Sequence, residues 1–136
     1  MIYDSLEALG FYAKIIESLR HIEGMIGGRE DASSSPERYD GEQEAAAFDG
    51  TLRAHKEQLC LHWVKKGREV VAVGYSEQTK GVPAGDDGTM VLEGAQVATV
   101  LTLEEGEFAL FMPGEPYALR LGGSSGQLES ESVRFV

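Results

Sequence analysis

The chain has 136 residues, a formal net charge of −11 and 42% hydrophobic residues, so it is long and apolar enough to form one domain with a hydrophobic core. The excess of acidic residues makes the electrostatic interaction with nucleic acids and anionic membranes repulsive. The single cysteine, Cys60, excludes an internal disulfide framework, and no apolar run approaches the roughly 20 residues of a membrane span. We therefore expect a cytoplasmic, single-domain protein that binds neither nucleic acid nor membrane.

The first 26 residues have the apolar spacing of an amphipathic helix. Behind the N-cap residues Asp4 and Ser5, apolar side chains recur at intervals of three and four: Leu6, Leu9, Ala13, Ile16 and Leu19. Gly10 and Gly24 weaken this pattern, so one long helix and two shorter helices both remain open. Residues 27–38 are polar and rich in small side chains, which predicts a flexible loop.

From residue 39 onward, short runs rich in Val, Leu and Phe alternate with Gly, Pro and Asp at intervals of roughly ten residues. This pattern is typical of an all-β barrel or sandwich. The predicted strands are 43–48, 58–64, 69–75, 97–103, 107–112, 117–121 and 132–136, and the predicted loops between them include 81–89 and 122–127. We expect a single domain over residues 1–136, in which a helical segment (1–26) packs against a β-roll (39–136).

The predicted strand 58–64 contains the first candidate site. Alternation along the strand places Cys60 and His62 on one face, about 7 Å apart. A hairpin after this strand would fold Glu69 back toward His62, and His55 lies just before the strand. Two imidazoles and a carboxylate inside a barrel can hold a divalent transition metal, most commonly zinc. The alternative interpretation is structural, because this spacing is no established metal signature. His62 would then be an ordinary half-buried histidine, Cys60 a small apolar side chain and Glu69 a solvated charge.

Residues 103–117 contain the second candidate site. Pro113 and Pro116 cannot donate to a sheet ladder, so the strand before them must end in a tight corner. The corner would place Glu115 and Tyr117 over the mouth of the roll. Glu115 could act there as an acid or base, and Tyr117 as a hydrogen-bond donor to a polar ligand. A tight corner is by itself a sufficient structural reason for the two prolines.

Three pieces of the sequence occur in a familiar order: MIYDSLEAL, RAHKEQLCLHWVKKGREVV and FALFMPGEPYAL. Together they resemble the YhcH/YjgK/YiaL family, which includes the small β-subunit associated with the evolved β-galactosidase. The resemblance extends from Met1 to about Leu121. It implies a cupin-like β-roll, or jelly roll, and a function in handling free sugars, notably anomer interconversion of sialic acid and related sugars. It also implies a metal bound in the roll.

The resemblance places His55 on the family's histidine, His62 on its His/Gln position and Glu69 on the glutamate that follows a glycine. Two positions depart from the family pattern. Cys60 stands where the family usually has aspartate, and Tyr117 stands where it usually has histidine after the corner. A phenol in place of an imidazole weakens metal binding, whereas the thiol of Cys60 could help to hold zinc.

These residues lead to two main hypotheses. In the first, the protein is a metal-assisted sugar anomerase or isomerase with His62 or His55 as the base. Glu69 or Glu115 would be the acid partner, and Tyr117 would orient the substrate. In the second, the protein is a non-catalytic, cupin-like sugar-binding or accessory subunit, which the two departures favour. A third hypothesis is a structural subunit that only forms an oligomer.

The expected ligand is a small sugar or sugar acid, and a homodimer is possible because edge strands of open rolls can pair between subunits.

Overall fold

The computed structural model describes residues 1–20, 22, 47–75, 81–83, 88–125 and 127–136. The predicted loop 27–38 and most of the predicted strand 43–48 lie outside these residues. Within them the protein is mainly β, with ten strands in two antiparallel sheets and a short helical segment near the N-terminus. This confirms the predicted fold class, a mainly β roll or jelly roll with an N-terminal helical segment, and the two sheets form a jelly-roll-like sandwich. No helix in the described part of the chain has the length and apolar character needed to cross a bilayer.

The helical segment consists of a 3₁₀ turn at Leu6–Ala8 and helix α1 at Leu9–Ala13. The strands are, in chain order, β1 Ile2–Ser5, β2 Leu52–His55, β3 Leu59–Lys66, β4 Arg68–Gly74, β5 Val82–Pro83, β6 Thr89–Leu92, β7 Val97–Glu104, β8 Glu107–Phe111, β9 Tyr117–Ala118 and β10 Glu129–Phe135. One sheet has the order β1-β8-β3-β10, and the other has the order β5-β6-β2-β9-β4-β7.

Four of the predicted strands match β3, β4, β7 and β8 to within two residues at each end. The predicted strand 117–121 is shortened to the two residues of β9, and the predicted strand 132–136 begins three residues earlier as β10. The sequence pattern missed β2 and β6. It also placed β5 and the start of β6 in the loop 81–89. These short strands have little periodicity of their own and form because neighbouring strands satisfy their backbone groups.

The N-terminus corrects the helical expectation in part. Residues 2–5 form β1, which pairs with β8 at the edge of the four-stranded sheet. The helical segment begins after Ser5, whose side chain accepts a hydrogen bond from the backbone N–H of Glu7 as the N-cap prediction requires. Leu9 and Ala13 are buried against the outer face of this sheet, so the predicted apolar stripe is a packing surface.

The alternation predicted for β3 is confirmed. Leu61 and Trp63 face outward and pack under the N-terminal helical segment. Cys60 and Val64 face inward, where they pack with residues of both sheets in the core between the layers. His62 has the same parity as Cys60 and therefore lies on this inner face.

The hairpin predicted after β3 is wrong, because β3 and β4 lie in different sheets. The chain passes from one sheet to the other through the single residue Gly67, which has a φ of +90°. A Cβ atom at this position would overlap Oγ of Ser125 and lie 3.0 Å from the carbonyl oxygen of Gln127. The crossing still brings Glu69 opposite His62, now from the facing layer of the sandwich.

Strand β7 forms one edge of the six-stranded sheet. It is eight residues long, and residues 97–103 carry no charged side chain. Residues 98–100 are exposed, with Val100 exposed by 61%. One side of β7 pairs with β4, and the other side is not paired with any described strand.

Replacement of Gly67 by alanine is expected to destabilise the protein by at least about 2 kcal/mol, because a side chain at this φ is strained and its Cβ overlaps Ser125. Gly106→Ala is the matched control, since Gly106 has a φ of +81° but no atom within 4 Å of its Cβ position. In Gly106→Ala, only the strain of a positive φ lowers stability, because the added Cβ meets no other atom. Equal losses of unfolding free energy in the two variants, measured by urea titration, would contradict a steric role for the crossing.

Candidate functional site

The predicted residues His62 and Glu69 form a buried contact between the two sheets. The Nε2 atom of His62 lies 2.8 Å from each carboxylate oxygen of Glu69. The other ring nitrogen of His62, Nδ1, is hydrogen-bonded to the hydroxyl of Ser132 on β10. His62 is 1% exposed and Glu69 is 0% exposed. A carboxylate is costly to bury without a partner, so the imidazole is a main reason that Glu69 can lie here.

Glu69 also receives hydrogen bonds from two other residues. The backbone N–H of Arg120 donates to Oε2 at 3.1 Å, and the hydroxyl of Ser130 bonds to the carboxylate as well. Burial by itself raises the pKa of Glu69, but the hydrogen bond and charge of His62, with the bonds from Ser130 and Arg120, outweigh it and lower the pKa. The carboxylate is therefore ionised at neutral pH and acts as an acceptor.

Arg120 contributes to this site through both its backbone and its side chain. Its φ of +54° is uncommon for a residue other than glycine. Its guanidinium is buried and donates to Oγ and the carbonyl oxygen of Ser130 at 3.3 and 3.4 Å. Unusual backbone conformations held by their surroundings concentrate at functional sites. The group is referred to below as the His62 cluster: His62, Glu69, Arg120, Ser130 and Ser132.

The predicted residues His55 and Tyr117 form a second buried contact. The Nε2 atom of His55 lies 2.6 Å from the hydroxyl of Tyr117, and Nδ1 lies 3.0 Å from the hydroxyl of Thr89. The same Thr89 hydroxyl accepts a hydrogen bond from Arg134 at 3.0 Å. The ring of Tyr117 stacks on Phe111 with 4.2 Å between the ring centroids, which fixes the direction of the hydroxyl. The His55 cluster is defined as His55, Thr89, Tyr117 and Arg134.

The two clusters lie beside each other along β3 and β10. Cys60 and His62 occupy successive inward positions on β3, and their partners on β10 are Arg134 and Ser132. Two residues along a strand span about 7 Å. The clusters therefore occupy adjoining positions between the same two sheets.

The predicted site residues are thus brought together as two pairs. His62 contacts Glu69, and His55 contacts Tyr117. Cys60 lies on the inner face of β3, in register with Phe111 on β8 and Arg134 on β10.

Glu115 lies apart from these pairs, at the proline corner. Its Oε1 atom accepts a hydrogen bond from the backbone N–H of Met112 at 2.8 Å, and its Oε2 atom lies 2.7 Å from the amino nitrogen of Met1. Its side chain therefore holds the corner, whereas Tyr117 turns inward and is buried. The predicted acid–base role of Glu115 stays a prediction, and this geometry does not favour it.

The donor atoms of the predicted metal ligands do not fit a metal ion in this arrangement. Among the described residues, no group of three or more His, Cys, Asp or Glu side chains is placed to hold one. Both ring nitrogens of His55 and both of His62 have hydrogen-bond partners. Because a ligating imidazole needs one lone pair free for the metal, one of the two hydrogen bonds of each ring would have to break first. The zinc prediction stays a prediction that the geometry does not favour.

Sequence reasoning missed several members of the two clusters. Ser130, Ser132 and Arg134 alternate along β10 and face inward, and this period of two was present in the sequence. Arg120 has no such signal, because neither its left-handed backbone nor its contact with Glu69 follows from local pattern. Thr89 is the last residue of the predicted loop 81–89, because β6 is too short to show a periodic pattern.

The described residues define a mainly β protein of the sandwich or jelly-roll class with two polar clusters between its sheets. No protein-family model matches the chain, and a search of curated proteins returns no match. One similar solved structure is the X-ray structure of E. coli ycfD, with 20% sequence identity and a TM-score of 0.47. The match covers 62% of this chain and 22% of ycfD, so the chain spans less than a quarter of that protein. A likeness at this level carries no argument about activity.

Glu69→Gln is expected to lower the free energy of unfolding by about 3 kcal/mol at neutral pH, because an amide replaces the buried, ionised acceptor that His62, Arg120 and Ser130 share. The folded-state pKa of Glu69 lies below its usual value of 4.5, so the ionised carboxylate stabilises the fold above that pH. This stabilisation is lost as the pH falls through the folded-state pKa. The stability difference between wild type and variant should therefore shrink in acid.

Urea unfolding at a series of pH values measures this difference. Glu105→Gln is the control, because Glu105 is exposed in the turn between β7 and β8 and its replacement should change stability little at any pH. A Glu69→Gln deficit that stays constant from neutral pH to well below 4.5 would refute the stabilising role of the charge.

Proposed function

We propose that this protein binds a free sugar or sugar acid beside its two polar clusters and interconverts the anomers of that sugar by proton transfer. One observation carries the proposal: two buried hydrogen-bonded pairs, His62–Glu69 and His55–Tyr117, occupy adjoining positions between the same two sheets. Anomer interconversion needs a base and an acid that act on neighbouring oxygens of one substrate. Two pairs of titratable groups side by side supply both.

His62 is the proposed base. In the neutral imidazole that a base requires, Nε2–H donates to the carboxylate of Glu69 and leaves the lone pair on Nδ1. The same carboxylate balances the charge that His62 acquires when it takes up a proton. The lone pair on Nδ1 is directed at the hydroxyl of Ser132, which can relay a proton from the anomeric hydroxyl of the sugar. Glu69 thereby acts as a positioning residue for His62.

Tyr117 is the proposed acid. Arg134 donates to the Thr89 hydroxyl, so that hydroxyl can direct its own proton to Nδ1 of His55. The proton of His55 is then on Nε2, from which it can be donated to the oxygen of Tyr117. In this set of proton positions the phenol directs its own proton away from His55, and the bond from His55 makes it a better donor. The proton reaches the ring oxygen of the sugar as the bond from that oxygen to the anomeric carbon breaks. The carbonyl group of the open-chain sugar then rotates and the ring closes on its other face. Ring closure returns one proton to the anomeric oxygen and the other to Tyr117.

The sequence resemblance supports the same proposal. The mainly β, two-sheet architecture is compatible with the cupin-like roll of the YhcH/YjgK/YiaL family, and the residues that match its motifs, His55, His62 and Glu69, lie on inner strand positions. We include distant membership of that family in the proposal. The departures at Cys60 and Tyr117 then mark an active site that has changed its chemistry.

A second candidate function is a non-catalytic sugar-binding or accessory subunit. The observation that favours it is that both imidazoles already have hydrogen-bond partners at both ring nitrogens. A fully satisfied polar network rigidifies the interior and can be kept for that reason alone.

Anomer exchange, followed by NMR exchange spectroscopy with sialic acid and galactose, tests the proposal. We expect wild-type protein to accelerate exchange and Tyr117→Phe and His62→Gln each to reduce the acceleration by about 100-fold or more. Tyr117→Phe retains the ring that stacks on Phe111, and thermal unfolding verifies that the variant is folded. Glu105→Gln should retain full activity. Sugar binding without exchange would support the second candidate, whereas neither binding nor exchange would refute the proposal and the sugar-binding form of the second candidate.

Elemental analysis tests whether this chemistry needs a metal. Protein purified without a metal-binding tag is expected to contain no stoichiometric transition metal, because the ring nitrogens of His55 and His62 are engaged in hydrogen bonds. Near-stoichiometric zinc that disappears in His62→Ala would contradict this and restore the metal-assisted mechanism.

A further inference from the structure

We infer that Gln58 is a ligand-binding residue that accepts a hydrogen bond from a hydroxyl group of a polyhydroxylated ligand. The inference rests on the proposed function, because a sugar is the ligand class that brings such hydroxyls. It starts from one atom: Oε1 of Gln58 is buried and has no hydrogen-bond partner among the described residues.

An acceptor buried without a donor lowers the stability of the folded protein, because the hydrogen bond it made to water is not replaced. Buried polar groups are therefore almost always paired, and an exception calls for a cause. The clusters on the neighbouring strands follow the rule, since His55 and His62 are each paired on both sides. Gln58, three residues after His55 in the chain, departs from this rule.

The position of Gln58 connects it to that site. The chain leaves β2 after His55 and enters β3 at Leu59, so Gln58 lies where it passes from one sheet to the other. Gln58 is two residues before Cys60, which faces the interior. The backbone N–H of Gly114 donates to the carbonyl oxygen of His55 at 2.7 Å, so the proline corner that leads to Tyr117 closes the same end of the sandwich.

The chemistry of this end of the sandwich is compatible with the ligand class of the proposed function. An amide oxygen only accepts hydrogen bonds, so the group that satisfies it must be a donor. A sugar hydroxyl donates one hydrogen bond and accepts others, which suits a site that combines the acceptor of Gln58 with the hydroxyl of Tyr117. An apolar ligand, or an anion without hydroxyls, would leave the oxygen of Gln58 unsatisfied.

Gln58→Met tests the inference, because methionine retains the length of the side chain and removes the amide. Sugar binding is measured by calorimetry with sialic acid and galactose, and stability by thermal unfolding. We expect the affinity to fall by about tenfold while the variant is at least as stable as wild type. The exchange rate at saturating sugar should change less than the affinity. Gln58→Glu, which keeps an acceptor at this place, should bind more tightly than Gln58→Met.

Gln127→Met is the matched control, because Gln127 is exposed and its loss should alter neither affinity nor stability. Wild-type affinity in Gln58→Met would overturn the inference and leave the proposed function intact. A clear loss of stability in Gln58→Met would also overturn it, since the amide would then have a donor within the protein. If wild type binds neither sugar, the proposed function and this inference both fail.

Discussion

The hydrogen-bonded pair of His62 and Glu69 determines how the interior of this protein is arranged. It joins β3 of one sheet to β4 of the other directly after the crossing at Gly67, so it links the two layers where the chain changes sheets. The burial of Glu69 depends on the imidazole, and the carboxylate in turn holds the backbone of Arg120. Apolar residues of similar volume would hold two layers together equally well or better. A buried pair of this kind is therefore not by itself evidence of a stabilising role, and the candidate site is built around it.

The fold could be predicted where a strand repeats its pattern for long enough. Side chains along β3 alternate between the apolar cluster under the helical segment and the apolar cluster between the sheets. Strands β4, β7 and β8 also contain runs of Val, Leu and Phe, so the positions of all four strands followed from the sequence pattern. The two-residue strands β5 and β9 have too few residues for any period, and β1 exists because β8 offers an edge for it to pair with. Such short strands form because they pair with strands that are distant in the chain, and the residues next to them in the sequence do not indicate these partners.

The same distinction applies to the candidate site. The proximity of His62 and Glu69 was expected, although for a different reason, since a hairpin and a crossing between sheets both return Glu69 to His62. The pairing of His55 with Tyr117 was not expected, because residues 62 positions apart along the chain meet only through the order of the strands. Arg120 illustrates the limit: its importance comes from a backbone angle and a contact with Glu69, neither of which leaves a mark on the sequence around it.

The uncharged outer edge of β7 has a consequence for how the protein behaves in concentrated solution. An exposed edge strand that no described strand pairs can pair with the same edge of another molecule, and natural proteins commonly protect such edges with charged side chains on the strand itself. Here the strand has no such charge over residues 97–103, and the net charge of −11 on each molecule supplies a repulsion that opposes pairing. That repulsion acts over about 8 Å at physiological ionic strength and weakens with added salt or as carboxylates take up protons. Acid or high salt therefore weakens the repulsion that opposes contact between these edges.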